Sequence, residues 1–130
     1  MPVSLVCVAL LGTLTIALGF GVSMARARER RVYGYSEDPD NSLYQWVRAH
    51  GNSTEYVPVL MVLIYVLGQM PVAGWVVWCM VLVTFCRYLA ALGLVLPKTM
   101  RKPNPLRFIG SLGTYVFGLA LCAALLLQIL

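Results

Sequence analysis

Charged residues are scarce in this chain. Only 12% of its 130 residues are charged, against 60% that are hydrophobic, and just five residues are Asp or Glu. A soluble domain of this size needs far more polar surface, so the composition excludes an ordinary soluble protein. The length allows about four membrane-spanning helices of ~20 residues with their loops. We therefore expect one domain, residues 1–130, embedded in a membrane.

The sequence also lacks the common patterns of metal and redox sites. His50 is the only histidine, and none of the four cysteines forms a Cys-x-x-Cys pair. Each cysteine lies inside an apolar stretch, where a reduced thiol behaves as a small hydrophobic side chain. No metal site is expected. The net charge of +5 comes from basic residues in short loops, a pattern of membrane topology, so nucleic acid is not an expected partner.

Four long apolar segments predict four transmembrane helices. They cover residues of about 2–25, 43–68, 72–96 and 105–129, and Ser42 is in position to cap the second one. Small residues four apart, such as Ala17 and Gly21, permit close helix packing in lipid. The predicted fold class is all-α, an integral membrane four-helix bundle.

Lys and Arg predict how the bundle is oriented. They cluster in residues 26–31 and 98–102, whereas the turn at 68–71 and both ends of the chain carry none. Because cytoplasmic loops are rich in Lys and Arg, loops 26–42 and 97–104 are expected to face the cytoplasm. Both termini then lie on the other side. The compact chain, without a lumenal retention tail, is expected to belong to a bacterial inner membrane.

A polar stripe interrupts the apolar surface of the second helix. At 3.6 residues per turn, Arg48, Asn52, Glu55 and Tyr56 fall on one side of that helix. Ionisable groups inside a membrane are costly, and they mark ion pairs or functional sites. Glu55 lies at a depth comparable to that of Arg87 on the third helix, so we expect these two residues to form a structural ion pair.

Other basic residues near this stripe indicate an anion site. Arg48 and Asn52 would share one leaflet with Arg107 at the start of the fourth helix. Arg26 or Arg28, at the end of the first helix, would join them, and the sequence does not choose between the two. Arginine binds carboxylates through two parallel hydrogen bonds. The predicted pocket therefore suits a small anion with several carboxylates.

Several strings of residues resemble the MAPEG family, the membrane-associated proteins in eicosanoid and glutathione metabolism. The most specific string is RAHGNSTEYVP, and it is accompanied by GYSEDPDNSLYQW, CRYLAALG and NPLRFIG. The resemblance covers essentially the whole chain. It implies a homotrimer of four-helix bundles, with a glutathione site between neighbouring subunits at the cytoplasmic leaflet.

The resemblance also implies roles for individual residues. Arg107 would stabilise the glutathione thiolate, which then attacks a hydrophobic electrophile. The implied activity is that of a microsomal-type glutathione S-transferase or peroxidase, with glutathione as co-substrate. Its further partners would be a hydrophobic small molecule, membrane lipids and other copies of the chain. The residues implied to hold glutathione are Arg26 or Arg28, Arg48, Asn52, Glu55 and Tyr56.

One part of the family pattern is missing, and two other functions stay open. Active relatives tend to carry Tyr or His three and seven residues after the arginine of the third helix, and those positions hold Ala90 and Leu94. One alternative is a non-catalytic membrane protein of the same fold that binds a ligand or lipid. The other is a small proton-coupled exporter with Glu55 as proton carrier, which the nearby arginines disfavour because they keep a carboxylate ionised.

Overall fold

Four α-helices make up the computed structural model, which describes residues 2–130. They are α1 (Val3–Arg28), α2 (Ser42–Gly68), α3 (Gly74–Val95) and α4 (Pro105–Ile129). The predicted all-α fold with four helices is confirmed. α1 ends three residues later than the sequence indicated, because Arg26 and Arg28 continue the helix beyond the apolar run.

Three of the four helices are long and apolar enough to cross a membrane. Within residues 2–130 these are α1, α3 and α4, and they support the expected integral membrane protein. α2, the fourth predicted span, is not among them. That helix has 27 residues, which is long enough, but Arg48, Asn52 and Glu55 interrupt its first half. The polar stripe is thus the feature that distinguishes α2 from its neighbours.

Neighbouring helices run in opposite directions. α1 packs mainly on α2, and α3 mainly on α4, whereas the Cα atoms of α1 and α4 stay more than 8 Å apart within residues 2–130. Ser4 lies against Gly68, and the Gln128 amide donates to the carbonyl oxygen of Pro71 over 3.1 Å. Both ends of the chain therefore meet the α2–α3 turn. Residues 26–41 and 96–107 lie at the opposite end, which we call the basic end.

Asparagine side chains cap the two helices that start at the basic end. The Asn41 side chain accepts a hydrogen bond from a backbone N–H in the first turn of α2. Asn104 does the same for α4, where it accepts from the N–H of Arg107 over 3.3 Å. Such caps satisfy N–H groups that a helix start leaves free. Ser42, the cap expected from the sequence, is instead the first residue of α2.

Two contacts join the loops at the basic end. The Gln45 side chain donates to the Pro97 carbonyl oxygen over 2.6 Å, and the Met100 N–H donates to the Pro39 carbonyl oxygen over 3.1 Å. Gln45 is buried, so this bond ties the first turn of α2 to the end of α3. The starts of α2 and α4 are therefore held at the same end of the bundle.

α3 and α4 approach each other closely at glycine residues. A Cβ added at Gly110 would lie 2.7 Å from the Cys86 carbonyl oxygen and 2.8 Å from the Ala90 Cα, closer than real side chains come. A Cβ at Gly93 would lie 2.7 Å from the Cα of Arg107. These contacts hold the first turns of α4 against α3 and so fix the position of Arg107.

Candidate functional site

Arg87 is the largest fully buried side chain of the bundle, and it connects three helices. It is only 1% exposed. Its guanidinium group donates to the Asn52 Oδ1 atom on α2 and, over 3.3 Å, to the Thr114 Oγ1 atom on α4. The same group lies over the Tyr56 ring, with 5.2 Å between its Cζ atom and the ring centroid. One cation from α3 therefore organises the polar residues of α2 and α4.

The expected ion pair between Glu55 and Arg87 does not form in the structure. All salt bridges within residues 2–130 join residues of the basic-end loops. Asn52 and Tyr56 are four residues apart and share the face of α2 that meets Arg87. Glu55 is exposed and makes no salt bridge with Arg87. The rotation of α2 about its axis thus gives Arg87 an amide partner rather than a carboxylate.

A groove between α2 and α4 starts at a pair of tyrosines. The hydroxyl oxygens of Tyr56 and Tyr115 lie 2.9 Å apart, and their rings meet edge to face. The groove has a volume of about 320 Å³, and Glu55 is its one charged lining residue. It therefore has a polar end next to Arg87 and an apolar body. The body is lined by Val59, Leu60, Leu63, Gly118, Leu119 and Cys122.

A single chain does not bring the predicted arginines of α2 and α4 into one cavity. Arg48 is exposed on α2. Arg107 is half-buried and lines a separate cleft of about 320 Å³ with Asn104, Phe108 and Ser111. No residue of the α2 stripe lines that cleft. Arg107 and Glu55 therefore belong to different surfaces of the bundle.

The two candidate arginines of α1 have different surroundings. Arg26 is half-buried, and its Nε atom donates to the Gly34 carbonyl oxygen over 3.1 Å. Arg28 is exposed at the end of the helix. Neither residue lines the groove between α2 and α4. Arg26 stabilises the loop that follows α1, and the guanidinium of Arg28 is exposed.

The family model of MAPEG matches residues 4–127, which include all four helices apart from a few terminal residues. The chain belongs to the MAPEG family. This is a family of glutathione-related transferases and related membrane proteins. No match to a curated protein or to a solved structure is found. The polar stripe on α2 and Arg107 on α4 both fall inside the matched region.

Ala90 and Leu94 are packing residues in this MAPEG chain. Ala90 is 1% exposed and lies against Gly110, where α3 and α4 are closest. Leu94 is 7% exposed and packs with apolar residues of α1 and α2 such as Leu14. A Tyr or His at position 90 has no room between the two helices. The two positions where the family resemblance implies ligand contacts are therefore filled by the core.

Thr114 and Tyr115 are two site residues to which the sequence reasoning gave no role. Thr114 is buried, and its hydroxyl donates to the Gly110 carbonyl oxygen over 2.7 Å while it accepts from Arg87. Tyr115 completes the hydroxyl pair with Tyr56. The sequence feature that indicates a role for them is their position in the middle of an apolar helix. Polar residues there face the bundle interior or a ligand.

Proposed function

We propose that this MAPEG chain is a glutathione-dependent membrane transferase or peroxidase that acts on hydrophobic electrophiles. The observation that carries the proposal is the polar stripe on α2, in a chain that belongs to a family of glutathione-related transferases. Glutathione has two carboxylates, one ammonium group and two amides. In this proposal it is the co-substrate, and its binding residues are Arg48, Asn52, Glu55 and Tyr56, together with Arg26 or Arg28.

The exposure of two opposite charges supports a site at a subunit boundary. Arg48 and Glu55 lie on the outer surface of α2, and neither forms a salt bridge within residues 2–130. Uncompensated charges on a helix that packs among membrane spans are expensive. A bound zwitterion compensates both, because Arg48 pairs with a glutathione carboxylate and Glu55 with the ammonium group.

Arg107 supplies the cation for the glutathione sulfur in this proposal. A thiol with a pKa of about 8.5 is mostly protonated at pH 7, and a neighbouring guanidinium favours the thiolate. Arg107 lines a cleft apart from the α2 stripe, so a second copy of the chain must bring its own Arg107 to the stripe. We propose that three copies do so around a three-fold axis.

The chemistry that follows depends on the electrophile. The thiolate sulfur bonds to an electrophilic carbon, and the leaving group departs with its electron pair. With an organic hydroperoxide, two glutathione thiols are oxidised to the disulfide, and the peroxide becomes an alcohol and water. Hydrophobic substrates reach this site from the bilayer. We place the basic end at the cytoplasmic leaflet, in a bacterial inner membrane, because the loops there carry the Lys and Arg residues.

A second candidate is a non-catalytic protein of the same fold that binds glutathione or a lipid. The packing of Ala90 against Gly110 favours it, because the core then fills a position where active relatives carry a polar ring. Binding without turnover distinguishes this candidate from the enzyme. Turnover is measured with chlorodinitrobenzene for conjugation and with cumene hydroperoxide for peroxide reduction.

Calorimetry on the detergent-purified protein tests the proposal. Saturable glutathione binding is expected, and Arg48→Ala should weaken it by ~2–5 kcal/mol, the cost of removing one partner of a desolvated charge pair. Arg107→Ala should raise the pKa of the bound thiol, which the ultraviolet absorbance of the thiolate reports. Lys102→Ala removes a positive charge from an exposed loop residue and is the matched control. Absence of binding at millimolar glutathione would overturn the proposal.

A further inference from the structure

The residues proposed to bind glutathione do not include Arg87. Its guanidinium group nevertheless lies among the polar side chains of α2 and α4. A buried cation in a membrane bundle is costly, and it ordinarily has a carboxylate partner. Here its partners are the Asn52 side chain, the Thr114 hydroxyl and the Tyr56 ring. Two of these three groups belong to the stripe that is proposed to hold glutathione.

The guanidinium group determines which way the Asn52 amide is turned. An arginine side chain carries only hydrogen-bond donors, so the Asn52 atom that faces it must be the acceptor Oδ1. The Nδ2 atom then points away from Arg87. It makes no hydrogen bond with residues 2–130, and it is not sealed in the core. Asn52 therefore presents its Nδ2 hydrogens as free donors, while its oxygen accepts from Arg87.

Glu55 does not pair with Arg87. The Glu55 carboxylate, one turn further along α2, is exposed and has no salt bridge within residues 2–130. The Arg87 Nε atom has no hydrogen-bond partner among these residues. α2 presents the Nδ2 donor of Asn52 one turn from the carboxylate acceptor of Glu55. An ion pair between Glu55 and Arg87 would make that carboxylate unavailable to a ligand.

We propose that Arg87 is a positioning residue of the glutathione site. It fixes the Asn52 side chain so that the Nδ2 hydrogens donate to an acceptor of glutathione, a carboxylate or an amide carbonyl oxygen. Arg87 itself does not touch the ligand. This inference rests on the proposed function, because it assigns a donor within the same site.

The Asn52→Asp variant distinguishes the contribution of the Oδ1 acceptor from that of the Nδ2 donor. The new carboxylate keeps a charge-assisted hydrogen bond to Arg87, so the thermal unfolding midpoint should stay at or above that of the wild type. The donor is lost, and an oxygen faces the ligand acceptor instead. Glutathione affinity, measured by calorimetry, should fall about 10- to 100-fold. Gln69→Glu makes the same amide-to-carboxylate change at an exposed residue just after the far end of α2. The affinity of this variant for glutathione should be unchanged.

Variants of Arg87 test whether it acts through Asn52. Arg87→Met should weaken glutathione binding, and Arg87→Lys should restore part of it, because a lysine still donates to the Asn52 oxygen. In an Asn52→Leu background, Arg87→Met should cause no further loss, which a residue with a merely structural role would not show. If Arg87→Met does not fold, Asn52→Asp still decides the matter.

The outcomes separate the two proposals. Wild-type binding that survives unchanged in Asn52→Asp would overturn the positioning role and leave the proposed function intact. An additional loss on Arg87→Met in the Asn52→Leu background would also overturn it, since Arg87 would then reach the ligand by another route. If the wild type binds no glutathione, both proposals fail. Tight wild-type binding, loss in Asn52→Asp and non-additivity of the Arg87 and Asn52 variants are the expected results.

Discussion

The hydroxyl groups of Tyr56 on α2 and Tyr115 on α4 form a hydrogen bond 2.9 Å long across the mouth of the α2–α4 groove. α2 and α4 share few other contacts, so this bond is a principal connection between them. It also leaves one phenol hydrogen of the pair free to donate to a ligand in the groove. The pair thus joins the packing of the bundle to the proposed binding surface.

Removal of one hydroxyl of this pair should cost measurable stability. Tyr115→Phe is expected to lower the free energy of unfolding by ~0.5–1.5 kcal/mol, because the Tyr56 hydroxyl loses its partner. Tyr65→Phe removes a hydroxyl from an exposed tyrosine on the same helix as Tyr56 and is the control. Thermal unfolding in one detergent compares the two variants. Equal stability of both would show that the hydroxyl pair contributes nothing.

The close contact between α3 and α4 predicts that a substitution at Gly110 destabilises the protein. Gly110→Ala places a Cβ against the Ala90 Cα and the Cys86 carbonyl oxygen, so stability should fall by ~1–3 kcal/mol. In most helical positions the same substitution is neutral or stabilising. Gly74→Ala, where no atom lies within 4 Å of the new Cβ, provides that comparison. A Gly110→Ala protein as stable as Gly74→Ala would refute the close approach.

Insertion of an aromatic ring at position 90 should not create a more active protein. Ala90 of α3 is buried against α4. Ala90→Tyr therefore forces the two helices apart and should lower the unfolding midpoint strongly. Ala9→Tyr adds the same ring to an exposed position on α1 and should be tolerated. Unfolding midpoints and glutathione turnover are measured together. A stable Ala90→Tyr variant with increased turnover would show that the position faces the ligand.

The cap of α4 has a predictable effect on stability. Asn104 accepts hydrogen bonds from the N–H groups of Leu106 and Arg107, and Asn104→Ala removes both. The expected loss is about 1 kcal/mol, whereas Asn104→Asp should retain most of the stability because a carboxylate also caps. Chemical denaturation in detergent measures the difference. If the Ala and Asp variants were equally destabilised, the capping interaction would not be the cause.

The sequence was sufficient to predict the helices but not their rotation. A run of about 20 apolar residues can cross lipid only if its backbone N–H and C=O groups form hydrogen bonds with each other. The length of such runs therefore predicts helices. The α4 segment at 105–129 has the bounds that were expected. Which side chain meets Arg87 depends instead on how α2 is rotated against α3. Glu55 and Asn52 are one turn apart, and their periodicity does not distinguish between them.

The proposed site could be predicted only in part for a similar reason. Arg48, Asn52, Glu55 and Tyr56 lie on one helix, so their neighbourhood follows from helical spacing. Arg107 is on α4, and in a single chain it lines a different cleft. No pattern within one sequence predicts which surface of a second copy packs against that cleft. The role of Thr114 also required the structure, because it depends on the close approach of α3 and α4.

Complementation between two inactive variants tests the central claim, a glutathione site shared by neighbouring copies. Arg48→Ala and Arg107→Ala are each expected to lose activity alone. When the two are co-expressed, some interfaces combine an intact Arg48 from one copy with an intact Arg107 from the next. In randomly mixed trimers about a quarter of the sites should be complete, and glutathione turnover should recover to about that fraction of the wild-type value. No recovery in mixed oligomers, with both single variants folded, would contradict a site built between subunits.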